Sequence, residues 1–342
     1  MKKIQILRKN NIFIHNSIFI RNDEIQNLYT KKPLSKNTII MEIPDNKIIF
    51  FNNLNNKKII KNFNKLEISR NSLLAISLLI YRNLYPFYFK TLPQNLDSHF
   101  LFIDKLSLKN FKLSPILSSE HNLSNYKLYF NNIKNDFEKI FNILINLKPL
   151  EKLTLNKKIF WKKFLKMRIL INSRNFTIFK NKNKFFGLVP GADLINHNTN
   201  NNTKWYYSDI KKSFIVETIN DINENENLYD SYGKHHHNYS FILWYGFIEK
   251  DSVNNDLPII WKKKHLFTLE SNNNLNDIIS LISNKYQLNI NESKKKIIKI
   301  LKNKLNKYKK IKVYGKNKHF INLSKILYKK ETNIIKKYLK LL

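Results

Sequence analysis

Between Phe185 and Glu249 the chain gathers residues that could form a recognition site. Four of its five glycines, Gly187, Gly191, Gly233 and Gly246, fall within 60 residues. The same window holds "PGADLINH" (190–197), "YDSYG" (229–233) and "WYGFIE" (244–249), with tyrosines at 206, 207, 229, 232 and 245. A chain this poor in glycine keeps it where backbone φ must be positive or another group must approach closely. One tyrosine by itself reads as packing with its hydroxyl satisfied. The set reads as a glycine-punctuated, tyrosine-lined pocket beside an Asn196–His197 turn. The run His235-His236-His237 invites a metal reading, but adjacent histidines on one loop do not readily converge on an ion. With no cysteine there is no thiol catalysis, no disulfide and no thiolate-held metal. No metal is expected, and no P-loop, HExxH or strand-GxGxxG-helix unit is present.

Several elements must position these residues. "NTIIMEIPDNKIIFFN" from Asn37 reads as strand, turn, strand around Pro44. Helical spacing starts near Ser69, where "NSLLAISLLIYRNLYPFYF" opens on Asn71-Ser72 and stops at Pro86. Two more helices are expected through "NYKLYFNNIKNDFEKIFNILINL", with Leu128, Phe137, Ile140 and Phe141 on related faces, and through "KKIFWKKFLKMRILINSR". Strand character returns in "FFGLVP", "TKWYYSDI" and "SFIVETI", the last two joined by a turn at Lys211-Lys212. After Pro258 the chain reads as helical, with a stripe of Ile297, Ile298, Leu301, Leu305 and Tyr308, and another from Leu323 to Leu342. The design is a β-rich core, a helical insertion, more β structure and a helical end.

The bulk numbers fit that layout. A chain of 342 residues with 42% hydrophobic and 13% aromatic residues can bury sizeable cores. The net charge of +36 suggests a nucleic-acid or acidic-surface partner. Equally, Lys, Asn and Ile are inflated together, as in a chain encoded by an AT-rich genome. The lysines are scattered without an arginine-rich block, so direct nucleic-acid binding is disfavoured. No apolar run reaches the roughly 18 residues a membrane span needs; the best, "LLAISLLIY" (Leu73–Tyr81), has the length of a buried helix. "MKKIQILRKNNIFIHNSIFIR" is basic and reads either as an organelle transit peptide or as one or two basic strands. The compartment stays open: nucleus or cytoplasm, or a plastid or other organelle.

In order along the chain, the motifs resemble those of SET-domain methyltransferases of the Rubisco large-subunit methyltransferase class. "VPGADLINHN" is similar to that family's Pro-x-Ala-Asp-x-x-Asn-His stretch, and "SYGKHHHNYSFILWYGFIE" to its Tyr-Gly segment, Asn-led helix and Tyr-Gly-Phe. The interval from Tyr232 to Tyr245 matches. "LSKNTIIMEIP" resembles the end of the first SET segment, and "YFKTLPQNLDSHFLFIDKLSLKNFKLSPI" the Leu-Pro stretch of the insertion and the helix after it. "INSRNFT" is similar to the family's Ser-Arg-x-Phe, and "LYKKETNII" to a pattern of the C-terminal substrate-binding domain. The resemblance implies an α+β fold: a β-rich SET core with a knot-like crossing (1–258), a helical insertion at about 69–170, and an all-α C-terminal substrate-binding domain (259–342).

It further implies an S-adenosylmethionine-dependent protein N-methyltransferase acting on lysine, or on histidine as in one relative. Asn196 would contact the amino-acid end of the cofactor and the His197 backbone its adenine, although Asn196 alone also reads as a turn residue. Arg174 would pair with the cofactor carboxylate, and Glu24 and Gln26 would complete the cofactor site. Tyr232 is the central catalytic candidate. Its phenol would orient a neutral amine for in-line attack, with Tyr245 and either Tyr206 or Tyr207 lining an aromatic channel. Asp193 is a substrate-positioning or a structural carboxylate. Three positions depart from the family: Ile25 and Asn27 stand where a Gly-x-Gly is usual, and Ile178 where the Rubisco enzymes have an arginine near the substrate. The expected partner is a protein substrate, docked through an acidic face on the lysine-rich C-terminal region, with the enzyme a monomer. The competing readings are a SET protein that binds a partner without methylating it, and a basic nucleic-acid-binding protein.

Overall fold

A computed structural model describes residues 2–22, 26–55, 63, 66–93, 95–117, 126–146, 156–233, 237–249, 256–261, 264–270 and 274–342. It divides into two compact units, each made of two chain segments: 1–94 with 133–233, and 95–132 with 234–342.

The first unit holds eleven strands among its described residues: β1 (Phe13–Ile14), β2 (Ile18–Asn22), β3 (Gln26–Thr30), β4 (Ile39–Pro44), β5 (Ile49–Phe50), β6 (Asn175–Lys180), β7 (Asn183–Leu188), β8 (Asn196–His197), β9 (Thr203–Ser208), β10 (Ser213–Thr218) and β11 (Tyr229–Asp230). They form small sheets ordered β1-β4-β10-β9, β5-β7-β6, β2-β3 and β8-β11. The strands expected in "NTIIMEIP", "FFGLVP", "TKWYYSDI" and "SFIVETI" form at 39–44, 183–188, 203–208 and 213–218, with β9 and β10 paired antiparallel from Thr203↔Thr218 to Ser213↔Ser208. Register sets the buried face: Met41 and Ile43 stand opposite Val216 and Phe214 and all four enter one core, while Glu42 between them is half-buried. β8 and β11 pair in parallel, Asn196 opposite Tyr229, where the resemblance puts the knot-like crossing.

Three expectations from the sequence need correcting. The basic N-terminal stretch yields its strands only as β1 and β2; its first residues, Lys2–Lys9, form a helix, because Ile4 and Leu7 at i, i+3 spacing bury against the core. Pro86 starts a helix, Pro86–Thr91, instead of ending one; the preceding helix, Arg70–Ile80, has Ser69 as N-cap and ends at Tyr81. Proline at the first helical position loses no intrahelical bond. In the second unit, the region after Pro258 is not wholly helical. It opens with a hairpin, β12 (Leu257–Trp261) paired to β13 (Lys264–Leu269), whose Ile259, Leu266, Phe267 and Leu269 are buried. Helices Leu275–Tyr286, Ile290–Lys309 and Lys318–Leu341 follow. The helix Ile290–Lys309 starts on a reciprocal capping box, Asn289 with Glu292, and buries Ile297, Ile300, Leu301 and Tyr308.

The second unit also has a groove of about 630 Å³, lined by Lys112, Lys127, Lys304, Lys307 and Trp261 among others. No helix among the described residues is long and apolar enough to cross a membrane.

Candidate active site

The helix Lys157–Arg174 delivers Arg174 as its final residue. It starts where the Asn156 side chain accepts from the Ile159 amide and buries Phe160, Phe164, Ile169 and Ile171. Arg168 Nε fixes it by donating to Ser72 Oγ of the Arg70–Ile80 helix at 3.0 Å. A guanidinium at a helix C-terminus also meets the favourable end of the macrodipole. The Arg174 guanidinium donates to the Asp193 carbonyl and lies 3.3 Å from Asp193 Oδ2. The Asp193 side chain is 1% exposed. Its Oδ1 accepts from the Gly191 amide at 3.1 Å and its Oδ2 from the Tyr88 hydroxyl at 2.8 Å. Burial works against the Arg174 charge, but Asp193, Tyr88 and Tyr232 outweigh it and raise its pKa. Arg174 Nε is buried without a hydrogen-bond partner.

Gly191 explains one of the retained glycines. Its φ of 99° is one that side-chain-bearing residues rarely adopt, and a Cβ there would sit 3.4 Å from Leu7 Cδ1 of the N-terminal helix. That helix therefore packs directly on the Asp193 loop. From it, Lys3 Nζ donates to Gln26 Oε1 at 2.7 Å.

Asn196 ties the same strand from the other side. Its Nδ2 donates to the Gln26 carbonyl at 2.8 Å and to Asn27 Oδ1. Asn27 is extended and pairs with Arg21 in β2–β3, so that position needs no left-handed backbone. Tyr232 closes the cluster: its hydroxyl donates to the Ile195 carbonyl at 2.9 Å, its amide to His197 Nδ1 at 3.0 Å, and its ring stacks on the His197 ring at 5.2 Å. Asn202, buried in the asparagine-rich stretch, pins the segment leading into β11 by donating to the Asn227 carbonyl (2.7 Å) and accepting from the Tyr229 amide (2.8 Å).

Next to His197 in this parallel pair, Asp230 carries a pH signature. Burial raises its pKa from 3.8 to about 6, against bonds from the Ser231 amide and the Trp205 side chain. The folded carboxyl holds its proton more tightly than the unfolded one, so stability is lost as pH rises from about 4 to about 6. Asp230→Asn is expected to be more stable than the parent by about 2–3 kcal/mol above that window, the gap closing below it. Urea unfolding at a series of pH values reads this; a pH-independent difference would refute it.

The remaining candidates lie elsewhere. The Tyr206 hydroxyl is on Glu217 Oε2 (3.1 Å) and that of Tyr207 on Asp45 Oδ1 (2.7 Å), outside this set of contacts. Tyr245 belongs to the second unit, ending the helix Asn238–Tyr245 before Gly246, which takes the left-handed φ of 81° that a helix C-terminus favours. Burial, then Tyr129, pushes its pKa up to about 12. Ile178 is fully buried, opposite Phe185 in β6–β7, so this position serves the core. Glu24, Ile25, His235 and His236 lie outside the described residues, and among those described no cluster of histidine and carboxylate groups is placed to hold a metal. Tyr88 and Lys3 join the site without having been singled out in the sequence. Tyr88 lay within a quoted motif but carried no signal of its own, and Lys3 is one lysine among many.

The arrangement offers a buried guanidinium with a spare Nε, an asparagine whose Oδ1 is not used by these bonds, and a phenol fixed by a backbone carbonyl. The SET domain model matches residues 27–233. The solved structure of the SET domain of LSMT bound to lysine and AdoHcy superposes with a TM-score of 0.64 at 16% identity, covering 99% of this chain and 90% of that one. Rubisco LSMT bound to sinefungin and monomethyllysine gives 0.65, and bound to AdoMet 0.63, with the same identity and coverage. A search of curated proteins finds no match. With the family model spanning more than half of the chain and the Arg174, Asn196 and Tyr232 elements assembled in one unit, this chain belongs to the SET-domain family.

Proposed function

We propose that the chain is an S-adenosylmethionine-dependent N-methyltransferase acting on lysine side chains of a protein. The convergence of Arg174, Asn196 and Tyr232 on residues 26 and 193–197 carries this reading. It is supported by the similar solved structures, in which LSMT is bound to AdoMet, or to AdoHcy with lysine or methyllysine.

The residues present fit the cofactor's amino-acid end. A buried Arg174 Nε without a partner suits a carboxylate, and the Asn196 Oδ1 acceptor suits an ammonium. When bound, S-adenosylmethionine supplies a methyl group on a sulfonium. Tyr232, held by Ile195 and stacked on His197, orients the incoming amine and presents its phenol oxygen to the positive charge. Burial beside the Tyr232 ring favours the neutral amine that displacement requires. Asp193 positions Arg174 rather than touching substrate, since its oxygens are engaged within the protein. The four lysines around one groove of the second unit support an acidic docking face on the protein substrate.

Calorimetric titration with S-adenosylhomocysteine tests the reading, with Asn196→Ala beside the parent. Binding is expected, weakened at least about tenfold in the variant, as for a hydrogen bond to a charged group. A folded parent that binds no cofactor would refute it.

A further inference from the structure

The Lys2–Lys9 helix carries four basic residues, Lys2, Lys3, Arg8 and Lys9. Lys2, Arg8 and Lys9 are exposed, Arg8 reaching the carbonyls of Ile14 and His15, whereas Lys3 is half-buried. Its direction follows from the buried stripe: Leu7 lies at i+4, on the same side of the helix, and is fixed against Gly191. Its ammonium ends on Gln26 Oε1 at 2.7 Å. Asn196 grips the same residue through its backbone carbonyl at 2.8 Å. Lys3 and Asn196 therefore converge on one residue, with Arg174 and Asp193 close enough to act on the Lys3 charge.

Among these groups two cations face one carboxylate, and that carboxylate is already engaged by Gly191, Tyr88 and Arg174. An excess positive charge in a partly buried site is costly until an anion arrives. Burial, and after it the Arg174 charge, lower the Lys3 pKa, with Asp193 opposing. Of its three N–H donors one is spent on Gln26. We propose that Lys3 is a second cation of the carboxylate subsite, acting with Arg174 on the amino-acid end of the cofactor. This rests on the cofactor reading above and extends it to the N-terminal helix.

The test compares S-adenosylhomocysteine with its decarboxylated analogue, which keeps the amine and the adenosine. Both are titrated calorimetrically into the full chain and into its Lys3→Met and Lys3→Arg variants. Lys3→Met is expected to weaken S-adenosylhomocysteine about tenfold and the decarboxylated analogue by less than about twofold, with Lys3→Arg restoring most of the difference. Equal weakening of the two ligands would make Lys3 a packing residue of its helix and overturn the proposal, as would no weakening of either. Both ligands meet the same variant, so a loss of stability does not blur the comparison. A parent that binds neither ligand would overturn the cofactor reading itself, and this proposal with it.

Discussion

Tyr232→Phe is expected to lower kcat for methyl transfer by about 100- to 1,000-fold, the range for removing one oriented polar group at a reacting centre. Cofactor affinity should stay within about threefold. The ring still stacks on His197, and the bond from the residue-232 amide to His197 Nδ1 does not involve the hydroxyl. The bond to the Ile195 carbonyl is lost, at about 1 kcal/mol of stability. Methyl incorporation into a protein extract from labelled S-adenosylmethionine, measured beside calorimetric binding, separates the two effects. Parent-level incorporation would remove Tyr232 from the chemistry. Loss of binding together with activity would recast it as a structural residue.

Asp193→Asn has the largest expected effect on stability. The change keeps the volume and leaves Arg174 with the residue-193 carbonyl but without its buried counter-charge. Breaking a buried pair by removing one partner costs about 3–5 kcal/mol. Arg174 keeps 19% exposure, so the lower end applies, and Tm should fall by roughly 5–10 °C. Adding Arg174→Met should recover part of the loss, because the uncompensated charge leaves with it. Thermal unfolding of the two single variants and the double variant settles this. An unshifted Asp193→Asn would mean that Tyr88 and Gly191, not the carboxylate charge, hold the loop.

Much of this was legible in the sequence, for local reasons. The β9–β10 hairpin showed in its alternation around a polar turn, and the Lys157–Arg174 helix in its spacing. Arg174, Asn196, His197 and Tyr232 showed because each sits inside a motif several residues long. Less legible were single residues whose meaning depends on a distant segment. Tyr88 reaches Asp193 from 105 positions away, and nothing local in "YPFYF" marks which aromatic turns inward. Lys3 is hidden by a composition in which Lys and Arg number 61. An eight-residue helix shows only one i, i+3 apolar pair facing the core, too little to separate it from a basic strand. Pro86 and the β12–β13 hairpin were misread because proline marks a boundary without saying which side of it is ordered.

Each compact unit is assembled from two stretches of chain with part of the other unit between them, and this orders events during synthesis. Phe100 packs edge-on against Phe111 and, 6.4 Å away, against Phe320. At about 5–20 residues per second of translation, Phe100 and Phe111 emerge roughly 10–40 s before Phe320 is made. For that interval a strongly apolar segment has no complete core to enter. The proposed cofactor site is under the same clock: its residues cannot assemble until Tyr232 has left the ribosome, more than 200 residues after Lys3.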